Sequence, residues 1–438
     1  MILLVLSIGV GCGDSGAGGV GGVGGHAGHG GEGGSPDATG GGPLGGGGSG
    51  GSDGGGPIGG GTNYDTPTIP LMDLGLNTYK NFSGGLYEDG YNTAPDDHRA
   101  AGIEKANQVQ PLDTNGQPSN SGKIVVVSIG MSNTTQEFCA PDPAPVTACS
   151  SWADPNLCVM GNSRQACSTW GFMGQTALDG ATNKSTMVLV DGAHGGWSAE
   201  YWTEQPRLCV SQQDTAPGCS SFSVYDSYIR GQLLTPLGLS RNQVQIAWVK
   251  VAHNLNAFPA QGSLPSVQAD AYLLEADMGS IARMLRIQYP NLKQIFFSSR
   301  IFSPGGGVNA EPYAYEGGFA VKWLIQAQIE ERRTGVVDPV AGSLDDSNGT
   351  APWIGWGPYL WANGATPRSD GLAWTTADIE SDDTHPFPPY ITPYDQNQAG
   401  SASAANGLGE EKVGTLLHDF FSTSEFSRCW YLASGTCQ

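Results

Sequence analysis

Four short stretches of the chain are almost continuously apolar: Lys123–Ile129 (KIVVVSI), Met187–Val190, Val244–Val251 (VQIAWVKV) and Gln294–Ser298 (QIFFS). Each is rich in β-branched or aromatic residues, with no alternation of polar and apolar positions. That is the pattern of a parallel strand covered on both faces. Between and after them the period changes. Val267–Tyr289 carries Leu273, Leu274, Ile281, Met284, Leu285 and Ile287 at helical spacing and stops at Pro290. Phe319–Arg333 and Glu411–Phe421 read as two further helices. Strands alternating with helices predict an α/β fold around a parallel sheet.

In such a sheet, ligands bind beyond the carboxyl ends of the strands. The first strand runs into Gly130-Met131-Ser132-Asn133 and the second into Asp191-Gly192-Ala193-His194-Gly195-Gly196. The third runs into Ala252-His253-Asn254 and the fourth into Ser299-Arg300. One rim therefore offers a serine, a glycine turn with free N–H groups and an asparagine amide. A serine nucleophile needs a base and oxyanion donors. Of these, the strand ends supply the donors. Asp382-Asp383-Thr384-His385-Pro386 supplies the rest, with a carboxylate three residues before a histidine. In a tight loop, Asp382 would hold one nitrogen of His385 while the other faces Ser132. Ser132 is not inside G-x-S-x-G, so it does not sit on the nucleophile elbow of α/β-hydrolases.

These segments together resemble the SGNH (GDSL-like) hydrolases. Gly130-Met131-Ser132 resembles the first family block, with Met131 in place of its aspartate. Gly196 resembles the glycine of the second block, and Asn254 the asparagine of the third, although Ala252 and Leu255 replace its neighbours. Asp382 and His385 match the D-x-x-H of the last block, and Gly409, Lys412 and Val413 lead into a terminal helix as in the family. The resemblance implies a three-layer α/β/α sandwich with a central parallel sheet, of the SGNH or flavodoxin-like kind. It also implies ester hydrolysis by Ser132, His385 and Asp382, without metal or organic cofactor. The Ser132 and Gly196 N–H groups and the Asn254 amide would form the oxyanion hole, with Gly195 as an alternative donor to Gly196. Trp197, His253 and Arg300 stand on the same rim as candidates for substrate contact. For His253, and for His194, shaping the pocket is the competing role; for Arg300 it is a structural ion pair.

Composition places this domain in a larger plan. Of 67 glycines, the excess lies between Gly13 and Gly61. Such a segment buries too little apolar surface to offset its ordering entropy. As a flexible coil it spans roughly 40 Å end to end. Met1–Gly11 is apolar and runs into Cys12, which resembles the lipidation site of a bacterial lipoprotein signal. The expected plan is a signal and lipid site over 1–12, a tether over 13–62, and one hydrolase-like domain over 63–438. Residues 63–120 form an N-terminal extension of that domain with no readable motif. Export and a membrane attachment through lipid alone follow from this plan.

The nine cysteines fit an oxidising compartment. Cys209–Cys219 and Cys429–Cys437 are close enough in sequence to pair locally. Cys139, Cys149, Cys158 and Cys167 allow three pairings. No C-x-x-C is present, which disfavours a zinc site. With 41 acidic against 20 basic residues, the net charge is −21, and no basic stripe exists to meet nucleic acid phosphates. Trp353, Trp356, Tyr359, Trp361 and Trp374 crowd a Gly/Pro-rich segment, where they would either stack on sugar rings or pin a long loop. The expected substrate is a small-molecule or polysaccharide ester. The competing reading is a glycan-binding or adhesion protein on a degenerate hydrolase fold.

Overall fold

Five parallel strands form the frame: β1 (Ile124–Gly130), β2 (Met187–Val190), β3 (Val244–Lys250), β4 (Gln294–Phe297) and β5 (Trp353–Trp356). Every residue in them is buried, as the unbroken apolar runs require. The spatial order is β2-β1-β3-β4-β5. Val126 pairs with Leu189 on one side and Ile246 on the other, and Gly130 ends opposite Lys250. The order reverses at β1, so the ends of β1 and β3 flank the point at which an open α/β sheet leaves a crevice.

The computed structural model describes residues 62–139, 167, 170–204, 223–256, 259–305, 308–379, 385–386 and 409–438. The principal helices are α1 (Asp96–Asn107), α2 (Ser132–Phe138), α3 (Phe172–Leu178), α4 (Asp270–Gln288), α5 (Tyr313–Thr334) and α6 (Gly409–Thr423). A π-type helical segment covers Ser223–Leu234. Helix α4 packs on α5, and α6 packs on α2 and α3. The α6 contact is aromatic in part: Phe172 lies 5.4 Å from Phe421, ring centre to ring centre. Near the start, Asn63–Tyr64, Thr78–Tyr79 and Phe82–Ser83 make a small three-stranded sheet. Tyr79 stacks on Phe319 of α5 at 5.9 Å, which fixes this sheet against the helix. Among the described residues, no helix is long and apolar enough to cross a membrane.

The helices that periodicity predicts over 267–289, 319–333 and 411–421 are present with shifted ends. The fifth strand and α1 are not legible in the sequence. The DDHRAAGIEKAN stretch of α1 has no apolar stripe, and the WIGW stretch of β5 lies among glycines and prolines. The aromatic segment around β5 belongs to the interior. Trp353, Trp356, Tyr359, Trp361 and Trp374 are all buried. Each indole donates inside the protein: Trp353 to the His98 carbonyl at 3.1 Å, Trp356 to that of Leu86 at 2.8 Å, Trp361 to Glu311 at 2.7 Å and Trp374 to the Leu360 carbonyl at 2.8 Å. Their burial and these hydrogen bonds make them pins of the loop.

Two disulfides are present among the described residues. Cys429–Cys437 is the local pair expected from spacing. Cys139–Cys167 resolves part of the open pairing and ties the end of α2 to the segment before α3. Cys12, Cys149, Cys158, Cys209 and Cys219 lie outside the described residues.

Candidate active site

Ser132 opens α2, immediately beyond β1. The turn between them is sterically determined. Gly130 ends so close to β3 that a Cβ there would collide with the Lys250 carbonyl and the Thr134 hydroxyl. That hydroxyl donates to the same carbonyl at 2.7 Å and lies 3.2 Å from the Met131 N–H, which it accepts. The start of α2 is thus locked onto the end of β3. Ser132 is left half-buried, and its Oγ lies 2.6 Å from Nε2 of His385. With Nε2 unprotonated, the hydroxyl donates and the imidazole is placed to take its proton.

His385 comes from the far end of the chain. Its neighbour Pro386 forms a β-bridge with Ile379. Adjacent Asp378 accepts from the Thr375 N–H at 2.7 Å and from Lys412 of α6 at 2.7 Å. Those contacts hold the chain on the near side of the histidine. Asp382 and Asp383 lie outside the described residues.

The loops beyond β1, β2 and β3 are stitched to one another by backbone. His194 donates to the Gly130 carbonyl at 3.0 Å, and Ala199 donates to the Ala252 carbonyl at 2.9 Å. Gly196 lies between these two stitches with φ +82°, a left-handed conformation that favours glycine. Asn254 follows two residues after Ala252, and Leu255 donates to the Val308 carbonyl at 2.9 Å. The residues of the expected oxyanion hole therefore occupy three adjoining loops at one rim. Trp197 is half-buried and stacks on His194, ring centres 3.9 Å apart, so it walls the loop that carries Gly196.

Two rim residues are held mostly in the interior. His253 is 2 % exposed. Its Nδ1 lies 2.7 Å from Asp270 and its Nε2 3.1 Å from Asp277, both on α4. Burial alone would lower its pKa, but the two carboxylates override this and push it up to about 10. His253 is thus an imidazolium that anchors the start of the Asn254 loop to α4. Arg300 is likewise 2 % exposed and sits within the field of Glu137 and Lys250.

Beneath Ser132 is a set of buried polar groups that the sequence does not announce. Asp191, at the end of β2, accepts from Ser128 of β1 at 2.6 Å and from Thr135 of α2. Burial raises its pKa to about 6, against the pull of these two hydroxyls and the Ala193 N–H. Glu137 of α2 pairs with Lys250 at the end of β3, with Nζ 2.6 Å from Oε2 and both side chains fully buried. Burial pushes the Lys250 ammonium down to about 8, opposed by Glu137. It raises Glu137, opposed by Lys250, Arg300 and His385. The one signal in the sequence was Lys250 itself, a charge inside an otherwise apolar strand run. Among the described residues, no group of three or more His, Cys, Asp or Glu side chains is placed to hold a metal ion.

No protein-family model matches the chain, and no curated protein matches it. Among solved structures, it is similar to a carbohydrate esterase described as having an active site with divergent catalytic and non-catalytic binding functions. That likeness covers 68% of this chain and 68% of the other, at 13% identity and a TM-score of 0.29.

Proposed function

We propose that this protein is a serine esterase of the SGNH (GDSL-like) type on a three-layer α/β/α fold. The observation that carries the reading is the 2.6 Å contact between Ser132 Oγ and His385 Nε2 beside the β1/β3 crevice. In this reading His385 removes the Ser132 proton as Oγ attacks the ester carbonyl. The protonated imidazole then gives that proton to the departing alcohol oxygen, leaving the acyl group on Ser132. Water, deprotonated by His385, attacks the acyl carbonyl, and Oγ leaves with the proton back from the imidazole. The Ser132 and Gly196 N–H groups and the Asn254 amide are assigned to the oxyanion that forms in each half. Asp382 is assigned to the second nitrogen of His385.

The substrate assigned is an acyl or acetyl ester on an extracellular polysaccharide. With Cys12 lipidated and residues 13–62 as a tether, the esterase would work at the surface of an exporting cell. Incubation with acetylated polysaccharides and assay of released acetate tests this reading. Acetate release by the native chain and none by Ser132→Ala supports it. Binding of the polysaccharide without acetate release would replace it with the non-catalytic glycan-binding role.

A further inference from the structure

Far along the chain from Ser132, a groove of about 450 Å³ runs between α4 and α5. Phe82, Tyr272 and Trp323 supply its aromatic wall. Tyr272 stacks on Trp323 at 5.0 Å, and Phe82 meets the same indole edge-on at 5.3 Å. All three rings are half-buried, so the wall is partly open to solvent. Its charged lining is of one sign: Glu275 of α4, Glu330 of α5 and Asp338 of the loop that follows.

Glu275 is the anomaly. It is 3 % exposed, yet among the described residues no hydrogen bond or cation reaches its carboxyl. Burial, and then Asp338, push its pKa up to about 8. Its carboxyl oxygens are not sealed from solvent; they open onto the groove that Glu275 lines. Once ionised, above about pH 8, it would face Glu330 and Asp338 across the groove, where a cation from outside would stabilise it.

We propose that this groove binds an organic ammonium ion, an amine or quaternary amine with an apolar body. Glu275 would face the positive nitrogen, and Glu330 and Asp338 would add attraction at the mouth. Trp323 and Tyr272 would cover the N-alkyl groups, since the negative face of an aromatic ring attracts a cation within about 6 Å. A volume of about 450 Å³ lies in the range of small-molecule sites. An anion would be repelled; a neutral sugar could stack on the rings and donate hydroxyls to the carboxylates, but would gain nothing from their shared charge. The site does not depend on the esterase reading, because none of its residues belongs to the Ser132 rim.

Calorimetric titration of the full chain at pH 8.5 with choline and with 3,3-dimethylbutan-1-ol tests the proposal. The two probes share a shape and differ in charge. Choline is expected to bind at least about tenfold more tightly than the neutral alcohol, a difference set by charge. Glu275→Gln should weaken choline about tenfold and leave the alcohol unchanged, while ester turnover is unaffected. Glu330→Gln, at an exposed position, should weaken choline by a smaller factor and serves if Glu275→Gln fails to fold. No choline binding, equal affinity for the two probes, or full choline affinity in a folded Glu275→Gln chain would overturn the assignment.

Discussion

The Ser128 hydroxyl of β1 donates to the carboxyl of Asp191, at the end of β2, at 2.6 Å, with both side chains fully buried. The same carboxyl accepts from Thr135 of α2. One side chain thus joins two strands and the helix that begins with Ser132. Its pKa lies at about 6 against 3.8 for the free side chain, because burial disfavours the anion. A group with a raised folded-state pKa contributes most below its unfolded value and loses that contribution as pH rises through the folded value.

The native chain should therefore lose about 2 kcal/mol from this group between pH 4 and 6. Asp191→Asn removes the titration, so its unfolding free energy should vary less over that window. Asp191→Ala leaves two buried hydroxyls without their acceptor and should cost about 2–4 kcal/mol at pH 5. Urea titrations at several pH values read both effects. An Asp191→Asn curve parallel to the native one would remove Asp191 from this role.

His253 works in the same sense, further to the alkaline side. Its pKa of about 10, against 6.5 unperturbed, means that the stability it adds is complete below pH 6.5. That stability is lost as pH rises towards 10. His253→Ala leaves Asp270 and Asp277 buried without their cation and should cost about 3–5 kcal/mol near neutral pH. NMR titration of the imidazole gives the direct check, with the ring still protonated at pH 8. A neutral ring at pH 7 would contradict the clamp.

The Cys139–Cys167 bridge closes a loop of 28 residues and joins the end of α2 to the approach of α3. In the loop-entropy account its removal by Cys139→Ser and Cys167→Ser should cost roughly 3–4 kcal/mol. Peptide mapping without reductant should recover the two cysteines in one linked fragment. Their recovery as free thiols would contradict the pairing.

These relationships separate what the sequence makes legible from what it hides. Runs such as Lys123–Ile129 announce buried strands because they are short, β-branched and almost continuously apolar. The strand ends then point to Ser132, Gly196 and Asn254 before any contact is known. His385 was legible from its place in D-x-x-H, and the structure brings it to Ser132. The strand Trp353–Trp356 was hidden because its four residues carry no strand period and lie in Gly/Pro-rich chain. Its aromatic neighbours left open stacking on sugars or pinning of a loop, and their internal hydrogen bonds show the pinning. The roles of Asp191 and His253 were hidden for another reason. Their partners, Ser128 and Thr135 in one case and Asp270 and Asp277 in the other, are set by three-dimensional packing. Nothing in the local sequence marks such a partner. Cysteine spacing likewise left three pairings open where the fold selects Cys139–Cys167.

The central claim is that Ser132 and His385 are a working nucleophile and base. It is tested most directly by kcat/KM for p-nitrophenyl acetate in the native chain, Ser132→Ala and His385→Ala, each confirmed as folded by its thermal transition. The native chain should turn over the ester well above the buffer rate. Each variant should fall by about a thousandfold or more, and the double variant should fall little further, because paired residues act as a unit. A folded native chain with no turnover, or a Ser132→Ala variant within a few-fold of it, would contradict the account.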